Sequence, residues 1–246
     1  MAVVVYTPSI LSQMNASLLE VFIGGNINRK FNLTQGGRGT GGIIWSAAEI
    51  LAKLIAGCTD IDISSSTFFD IDWRGKYIVE LGAGVGIVGM VLSLLGSTVL
   101  STDGEETVVD TIKESVNKNI LGGAFLPLQY RWEDSPHILF NFIDKEYFDI
   151  VVGADIIYGH DATNWEHLLN CLLLICSSSY PTKLIIAQTH RYENENNFFG
   201  LLEKYFSRTS VIQVKGKVTT PLTALGGDTG DVATVFVYLY ERKLDY

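Results

Sequence analysis

A glycine-rich segment between an apolar strand and an apolar helical stretch is the part of this sequence best suited to bind a ligand. The run Tyr77–Gly89 (YIVELGAGVGIVG) has β-type residues as far as Leu81, and then glycines at positions 82, 84, 86 and 89. A loop of this kind brings bare backbone N–H groups and a helix N-terminus close to a ligand. The spacing therefore predicts a strand, a ligand-binding loop and a helix in succession.

Glu80 indicates which kind of ligand this loop binds. It places a carboxylate at the carboxyl end of an otherwise apolar strand, where a negative charge disfavours a bound phosphate. A ligand with a positively charged amine suits the position, and S-adenosylmethionine has such an amine. The same glycines satisfy the dinucleotide pattern G-x-G-x-x-G, with Asp103 lying 19 residues beyond Gly84. A nicotinamide-dependent oxidoreductase is therefore the alternative from another class, although it leaves Glu80 unexplained.

Two residues after later strands suit the nucleoside part of such a ligand. Asp103 follows the second strand, and its carboxylate can accept hydrogen bonds from both ribose hydroxyls. The alternative role for Asp103 is an acid at the N-terminus of the next helix, where the helix dipole favours it. Trp132, at the end of the third strand, offers a flat apolar face to an adenine base, with ordinary core packing as the alternative.

Asp155 and Tyr158 follow the fourth strand, where a methyl acceptor would meet a bound sulfonium. A lysine amine attacks only when neutral, and its ordinary pKa of about 10.4 keeps it protonated. Asp155 can orient the ammonium, while Tyr158 can wall the channel and receive a hydrogen bond at its oxygen. Desolvation lowers the pKa of a lysine, and transfer then needs mainly alignment. The alternative for Asp155 is a cap on the helix that follows.

The elements that position these residues alternate between strands and helices from Trp73 onward, which predicts a parallel sheet covered on both faces. Two final strand-like runs have no helix between them and must pair antiparallel. The strands are expected near Tyr77–Leu81, Thr98–Thr102, Leu126–Trp132, Phe148–Ala154, Lys183–Thr189, Ser210–Lys215 and Val232–Tyr240. The helices are expected near Trp45–Cys58, Ile87–Leu95, Glu106–Asn119, Asn164–Cys176 and Asn196–Tyr205.

Composition narrows the class of protein. With 246 residues, 47% of them hydrophobic and 18% charged, the chain is long enough for one large domain with a substantial core. Its apolar runs are shorter than a membrane span. The net charge of −9 argues against a nucleic-acid partner and suits a basic partner such as a lysine-bearing segment. Three cysteines without C-x-x-C spacing suggest reduced thiols in an intracellular protein.

Histidine spacing gives no sign of a metal site. None of the four histidines forms an H-x-x-x-H or H-x-H pair, so no metal is expected. His160 and His190 follow the fourth and fifth strands and could line a substrate pocket, with surface or internally bonded histidine as the alternative.

Together these residues resemble the class I, seven-β-strand S-adenosylmethionine-dependent methyltransferases, and more narrowly the protein-lysine methyltransferase family with its D-x-x-Y motif. The segment Arg191–Phe198 also resembles members that modify a lysine of the 70-kDa heat-shock chaperones. The resemblance rests on four motifs: Trp45–Ala48 (WSAA), Val79–Gly89 (VELGAGVGIVG), Ser115–Asn119 (SVNKN) and Gly153–Tyr158 (GADIIY).

The resemblance implies an α/β, Rossmann-like sheet of seven mostly parallel strands in the order 3-2-1-4-5-7-6, with strand 7 antiparallel and helices on both faces. Residues 1–246 would form a single methyltransferase domain, with 1–43 an N-terminal arm and 44–246 the catalytic core. Asp155 and Tyr158 would act on the acceptor side. The implied cofactor contacts come from Trp45, Glu80, Gly82, Gly84, Asp103, Trp132 and Ala154.

The implied activity is transfer of methyl groups from S-adenosyl-L-methionine to a lysine of a protein substrate, such as a chaperone or a translation factor, leaving S-adenosyl-L-homocysteine. Transfer to arginine, histidine or a small molecule is the alternative within the class, and a cofactor-binding scaffold without turnover is a further one. We expect a cytoplasmic and nuclear monomer without a nucleic-acid or membrane partner.

Overall fold

The computed structural model describes residues 18–36, 41–64, 71–119, 121, 123–158, 162–219 and 232–244. The strands within these ranges are β1 (Leu18–Ile23), β2 (Arg29–Thr34), β3 (Ile61–Ile63), β4 (Tyr77–Leu81), β5 (Thr98–Asp103), β6 (Phe125–Gln129), β7 (Ile150–Ala154), β8 (Lys183–Gln188), β9 (Phe206–Lys217) and β10 (Val232–Arg242). The helices are α1 (Ser46–Ile55), α2 (Ile87–Leu94), α3 (Glu106–Lys118), α4 (His137–Phe140), α5 (Ala162–Ile175) and α6 (Glu195–Leu202).

The main sheet has eight strands in the order β3-β9-β10-β8-β7-β4-β5-β6. Neighbours among β4 to β8 pair in parallel, whereas β10 runs antiparallel to both β8 and β9. Counted along the chain, the seven predicted strands stand in the order 3-2-1-4-5-7-6, which confirms the predicted fold. The eighth strand, β3, pairs antiparallel with β9 at the sheet edge and was not predicted.

Both faces of the sheet are buried. Successive residues of the central strand point to opposite faces, so Ile78 packs with α1 and α2 while Val79 packs with α5 and α6. This burial on two sides explains why the parallel strands have nearly continuous apolar runs. Because β4, β5, β7 and β8 run parallel, their carboxyl ends lie along one edge of the sheet, where the candidate site lies.

Helix α1 is buried all round, and not only on its predicted apolar face. Its two charged side chains bond within the protein: Lys53 Nζ lies 3.2 Å from Glu49 Oε1 and donates to the carbonyl of Lys217. Thr219 donates to the same Glu49 carboxylate from its backbone N–H at 2.8 Å and its hydroxyl at 3.0 Å. Glu49 and Lys53 therefore connect α1 to the end of β9 and the residues that follow it. The helix itself is shorter at both ends than the predicted range Trp45–Cys58.

The described part of the N-terminal arm is the antiparallel ribbon β1–β2, which packs against α3. The backbone N–H of Thr34 donates to Ser115 Oγ at 2.8 Å, and Asn119 accepts from the N–H of Asn32 at 3.0 Å and donates to its carbonyl at 2.9 Å. The Ser115–Asn119 motif thus joins the ribbon to the sheet domain. Residues 1–17 and 37–40 of the arm lie outside the described residues.

Several predicted boundaries were wrong. The third strand ends at Gln129, so Trp132 lies in a turn beyond it and not at the strand end. β9 is twelve residues long, six more than the run Ser210–Lys215, because it continues at both ends to pair along β10. Residues 220–231 of the Gly/Thr-rich segment lie outside the described residues. Within the described ranges, no helix combines the length and apolar character needed to cross a membrane.

Candidate active site

The glycine loop between β4 and α2 adopts a conformation that requires glycine. Gly82, Gly84 and Gly86 have φ values of 61°, 55° and 77°, in the left-handed region. Space is also short, because a Cβ on Gly82 would lie 2.9 Å from the Ile156 side chain, and one on Gly84 would lie 3.1 Å from the carbonyl oxygen of Gly41. The segment before α1 therefore lies directly against the loop, which the sequence did not reveal.

Glu80 lies buried beneath this loop. Ser101 Oγ donates to Glu80 Oε2 at 2.7 Å, and the backbone N–H of Gly89 in α2 also donates to the carboxylate. Burial raises the pKa of Glu80 from 4.5 to about 7. These contacts connect the end of β4 to the first turn of α2, so Glu80 supports the loop between them. Its direct contact with a ligand amine stays a prediction.

The raised pKa of Glu80 makes the stability of the protein depend on pH. Because the unfolded chain ionises this group first, the free energy of unfolding falls as pH rises from 4.5 to about 7. Glu80→Gln removes this loss. The free energy of unfolding of the variant, relative to that of wild type, should therefore be roughly 2–3 kcal/mol higher at pH 8 than at pH 5. Urea unfolding at both pH values measures the change, with the exposed Glu106→Gln as control. A stability difference between Glu80→Gln and wild type that is equal at both pH values would show that Glu80 ionises normally.

Asp103, at the end of β5, lies between the glycine loop and the start of α3. Its Oδ2 accepts from the Gly84 N–H at 3.1 Å, and its Oδ1 accepts from the Glu105 N–H, just before α3, at 3.1 Å. Burial, the largest effect, raises the pKa of Asp103. The carboxylate therefore joins the glycine loop to the start of α3, as the helix-terminal interpretation requires. A contact with ribose hydroxyls uses the remaining lone pairs and stays a prediction.

Trp132 and Tyr158 lie beside the glycine loop, in the segments that follow β6 and β7. The Trp132 ring would contact a Cβ on Gly82 at 3.7 Å, and its centroid lies 6.4 Å from that of Tyr158 with the planes tilted by 57°. Trp132 is half-buried at the edge of the core, so one part of its surface packs internally. The structure therefore brings the aromatic residues predicted from the third and fourth strands together beside the loop.

Asp155, which follows β7, is held in a strained conformation by its neighbours. It has φ of 53°, uncommon for a residue other than glycine, and its side chain is 2% exposed. Its Oδ1 accepts from the N–H of Thr189 at 2.8 Å, and its Oδ2 accepts from Arg191 Nη2 at 2.9 Å. The helix-cap interpretation is wrong, because the carboxylate bonds the end of β8 and α5 begins only at Ala162.

Arg191 is the site residue that sequence reasoning missed. Its guanidinium lies over the Trp45 ring at 4.8 Å, donates to Asp155 and donates to the carbonyl of Thr189 at 3.3 Å. Burial, the largest single effect, lowers its pKa, but the charge and hydrogen bond of Asp155 together with the charges of Glu195 and Tyr192 outweigh burial and raise the pKa, so the residue stays cationic. Arg191 thereby connects Trp45, predicted on the cofactor side, with Asp155 on the acceptor side. Its place after the fifth strand was the available signal.

Tyr158 is 52% exposed. Desolvation of the hydroxyl and the charges of Asp103 and Glu105 raise its pKa, so the phenol remains protonated and can donate a hydrogen bond. Trp165 Nε1 fixes the backbone by donating to the Tyr158 carbonyl at 3.3 Å. Ala154, the last residue of β7, lies beside Ala187 of β8 and is half-buried.

His190 is bonded within the protein. Its Nε2 lies 2.6 Å from the Tyr238 hydroxyl, and its Nδ1 lies 3.3 Å from Glu195 Oε2. His160 lies outside the described residues. In the part of the chain that the structure describes, no group of three or more His, Cys, Asp or Glu side chains could hold a metal ion.

The residues of the site fit S-adenosylmethionine. The glycine loop leaves no room for a Cβ on Gly82 or Gly84, Asp103 supplies an acceptor beside it, and Trp132 supplies an aromatic face. Asp155 and Tyr158, which follow the neighbouring strand β7, supply a carboxylate and a phenol. The arrangement places a loop for the cofactor next to polar groups for an acceptor.

Comparison with known proteins identifies the family. A model of the lysine methyltransferase family matches residues 29–205. Protein N-lysine methyltransferase METTL21A of Mus musculus is 30% identical over 176 residues, covering 70% of this chain and 72% of the relative. The Danio rerio METTL21A is 28% identical over 215 residues, covering 84% and 88%. EEF1A lysine methyltransferase 3 of Xenopus tropicalis is 32% identical over 145 residues, covering 56% and 58%.

A solved structure supports the fold. The T. thermophilus 16S rRNA N2 G1207 methyltransferase, determined with AdoMet and guanosine, superposes with a TM-score of 0.55 at 14% identity, covering 90% of this chain and 50% of that one. At this identity the likeness concerns the fold alone. Because the family model spans most of the chain, the protein belongs to the lysine methyltransferase family and is an S-adenosylmethionine-dependent protein-lysine methyltransferase.

Proposed function

We propose that this enzyme methylates a lysine of a 70-kDa heat-shock chaperone, with a translation elongation factor as the second candidate substrate. The main support for an acceptor site is Asp155, which is buried, has a positive φ and lies with Tyr158 after the carboxyl end of β7. The chaperone is favoured by the resemblance of Arg191–Phe198 to members that modify chaperones. A relative named EEF1A lysine methyltransferase 3, matched over a shorter share of the chain, supports the elongation factor.

On the cofactor side, the protein supplies binding and orientation. S-adenosylmethionine, when bound, supplies a methyl group on a sulfonium and leaves as S-adenosylhomocysteine. Gly82 and Gly84 would let the backbone come close to the bound cofactor, Asp103 would accept from its ribose hydroxyls, and Trp132 would offer its ring to the adenine. Glu80 acts through the loop by bonding Ser101 and the N–H of Gly89. Trp45 and Ala154 complete the proposed cofactor contacts.

On the acceptor side, the protein aligns a neutral amine with the methyl group. Asp155 is fixed by Thr189 and Arg191, so the lone pairs that remain on its carboxylate have a defined direction. The Tyr158 ring walls the approach, and its protonated hydroxyl can donate to a polar group of the substrate. Alignment of the reacting atoms accounts for much of the rate in a transfer of this kind.

Tyr158→Phe removes the hydroxyl and keeps the ring, so it distinguishes the roles of these two parts of the side chain. Because the phenol is half-exposed and its ring lies against Trp132, the variant should retain cofactor affinity and lose about 10-fold in kcat/KM, the value of one hydrogen bond. Initial rates with labelled S-adenosylmethionine give the ratio, and calorimetry with S-adenosylhomocysteine gives the affinity. Turnover equal to wild type would leave only the ring with a role.

The substrate proposal is tested with purified proteins. Unmethylated 70-kDa chaperone and elongation factor 1A are incubated separately with enzyme and S-adenosylmethionine, and peptide mass mapping locates added methyl groups. The proposal expects one lysine of the chaperone to gain methyl groups with wild type, and to gain them about 100-fold more slowly with Asp155→Asn. Modification of the elongation factor alone would replace the chaperone by the second candidate. Modification of neither protein, with normal binding of S-adenosylhomocysteine, would contradict both.

A further inference from the structure

The Asp155–Arg191 pair lies where the proposed acceptor amine has to lose a proton. Both side chains are buried, with 2% and 10% of their surfaces exposed, and the Nη2–Oδ2 distance is 2.9 Å. Arg191 is held from two further sides, by the carbonyl of Thr189 and by the ring of Trp45. The guanidinium is therefore a fixed part of the site.

A buried carboxylate without a counter-ion would hinder the proposed reaction. A negative charge within a few ångströms of an amine stabilises the ammonium form, which has no lone pair and cannot attack a methyl group. A carboxylate paired with a guanidinium presents almost no net charge to the same amine. Its oxygens nevertheless remain hydrogen-bond acceptors and can still orient the amine.

We propose that Arg191 is a positioning residue that cancels the charge of Asp155, so that the acceptor ammonium can release its proton to solvent water and attack the methyl group as a neutral amine beside the carboxylate that orients it. This inference rests on the proposed function of Asp155 at the acceptor. In addition to its packing role, Arg191 would then favour the neutral form of the acceptor amine.

Other ionisable groups face the pair, but they do not replace Arg191. From α6, both carboxylate oxygens of Glu195 lie 3.4 Å from the backbone N–H of Arg191, and Glu195 also contacts His190. Within the described ranges, Arg191 is the one cationic side chain bonded to Asp155. The other groups whose charges act on Arg191 or Tyr158 are acids or phenols: Tyr192, Asp103 and Glu105.

The test compares pH profiles of variants that change charge in matched steps. Initial rates of label transfer are measured from pH 6.5 to 10 at saturating S-adenosylmethionine, with limiting protein extract from cells that lack the enzyme. Arg191→Gln should lose about 100-fold at pH 7 and only a few-fold at pH 10, because the midpoint of the acidic limb rises by roughly 1–2 pH units. Arg191→Lys keeps the charge and should keep the wild-type midpoint at a lower rate.

The double variant Asp155→Asn/Arg191→Gln decides whether Arg191 acts through Asp155. It leaves no uncompensated buried charge, so it should fold even where Arg191→Gln does not, and its midpoint should return to that of wild type. Thermal unfolding and calorimetry with S-adenosylhomocysteine check the fold and the cofactor site. A loss in Arg191→Gln that is equal at every pH, or a double variant that keeps a raised midpoint, would overturn the inference. No transfer by wild type at any pH would instead overturn the proposed function.

Discussion

Asp155→Asn should reduce methyl transfer by about 100-fold while leaving the affinity for S-adenosylhomocysteine within about threefold. Asparagine has nearly the shape of aspartate and can keep the hydrogen bond from the N–H of Thr189, but it loses the charged acceptor that Arg191 and the substrate amine share. The loss should appear in kcat, because alignment at the reacting centre is affected and the cofactor contacts are not. Initial rates and calorimetry on the same protein provide the comparison.

The matched control for this variant lies at the other end of the same strand. Asp149, just before β7, accepts from the N–H of Tyr77 at 2.8 Å and pairs with Lys145 at 3.1 Å. Asp149→Asn makes the same chemical change far from the site and should leave transfer unchanged.

Because Asp155→Asn leaves the Arg191 cation buried without its partner, it should also cost about 3–5 kcal/mol of stability. Assays therefore have to be run where urea unfolding shows the variant folded. Equal losses in transfer and affinity would move Asp155 into the cofactor site.

Asp103→Ala should weaken binding of S-adenosylhomocysteine by about 10- to 100-fold, since it removes a charged acceptor from ribose hydroxyls. The variant also releases the N–H of Gly84, so part of the loss can come from the loop. A ligand change separates the two causes. Wild type should bind S-adenosylhomocysteine more tightly than its 2′-deoxyribose analogue, and Asp103→Ala should lose this preference.

The control for Asp103→Ala is Asp110→Ala, which changes an exposed acid of α3 that pairs with Lys113 on the surface. Its effect on affinity should be negligible, because surface pairs contribute little. Calorimetry with both ligands gives the four affinities that the comparison needs. A ribose preference that survives in Asp103→Ala would rule out the ribose role, and unchanged affinity for both ligands would exclude Asp103 from the site altogether.

The sheet and its strand order were predictable, because strand signals and crossovers are local. Apolar runs such as Ile150–Ala154 are buried on both faces and stand out in the sequence. The sequence shows no helical pattern between the last two strand-like runs, which predicted the antiparallel last strand that is observed. The strand β3 was missed because three residues give no periodicity. Its existence depends on pairing with β9, far away in the chain.

The candidate residues were also predictable in part, since acids and aromatics after parallel strands gather at one edge. The partners of those residues were not. Nothing local to Arg191 reveals that it contacts Asp155 and Trp45, which lie 36 and 146 residues away along the chain. Likewise, Glu80 was interpreted as facing a ligand, whereas its contacts with Ser101 and Gly89 depend on the neighbouring strand and helix. Long-range contacts therefore determined what the sequence pattern left open.

The central claim is that the edge of the sheet with the glycine loop and Asp155 transfers methyl groups to a protein lysine. The most direct measurement labels extract from cells lacking the enzyme with methyl-labelled S-adenosylmethionine, and then hydrolyses the labelled protein completely to identify the amino acid that carries the label. We expect labelled methyl-lysine with wild type and about 100-fold less of it with Asp155→Asn. Label in methylarginine, in methylhistidine or only in small molecules, or label unaffected by Asp155→Asn, would contradict the claim.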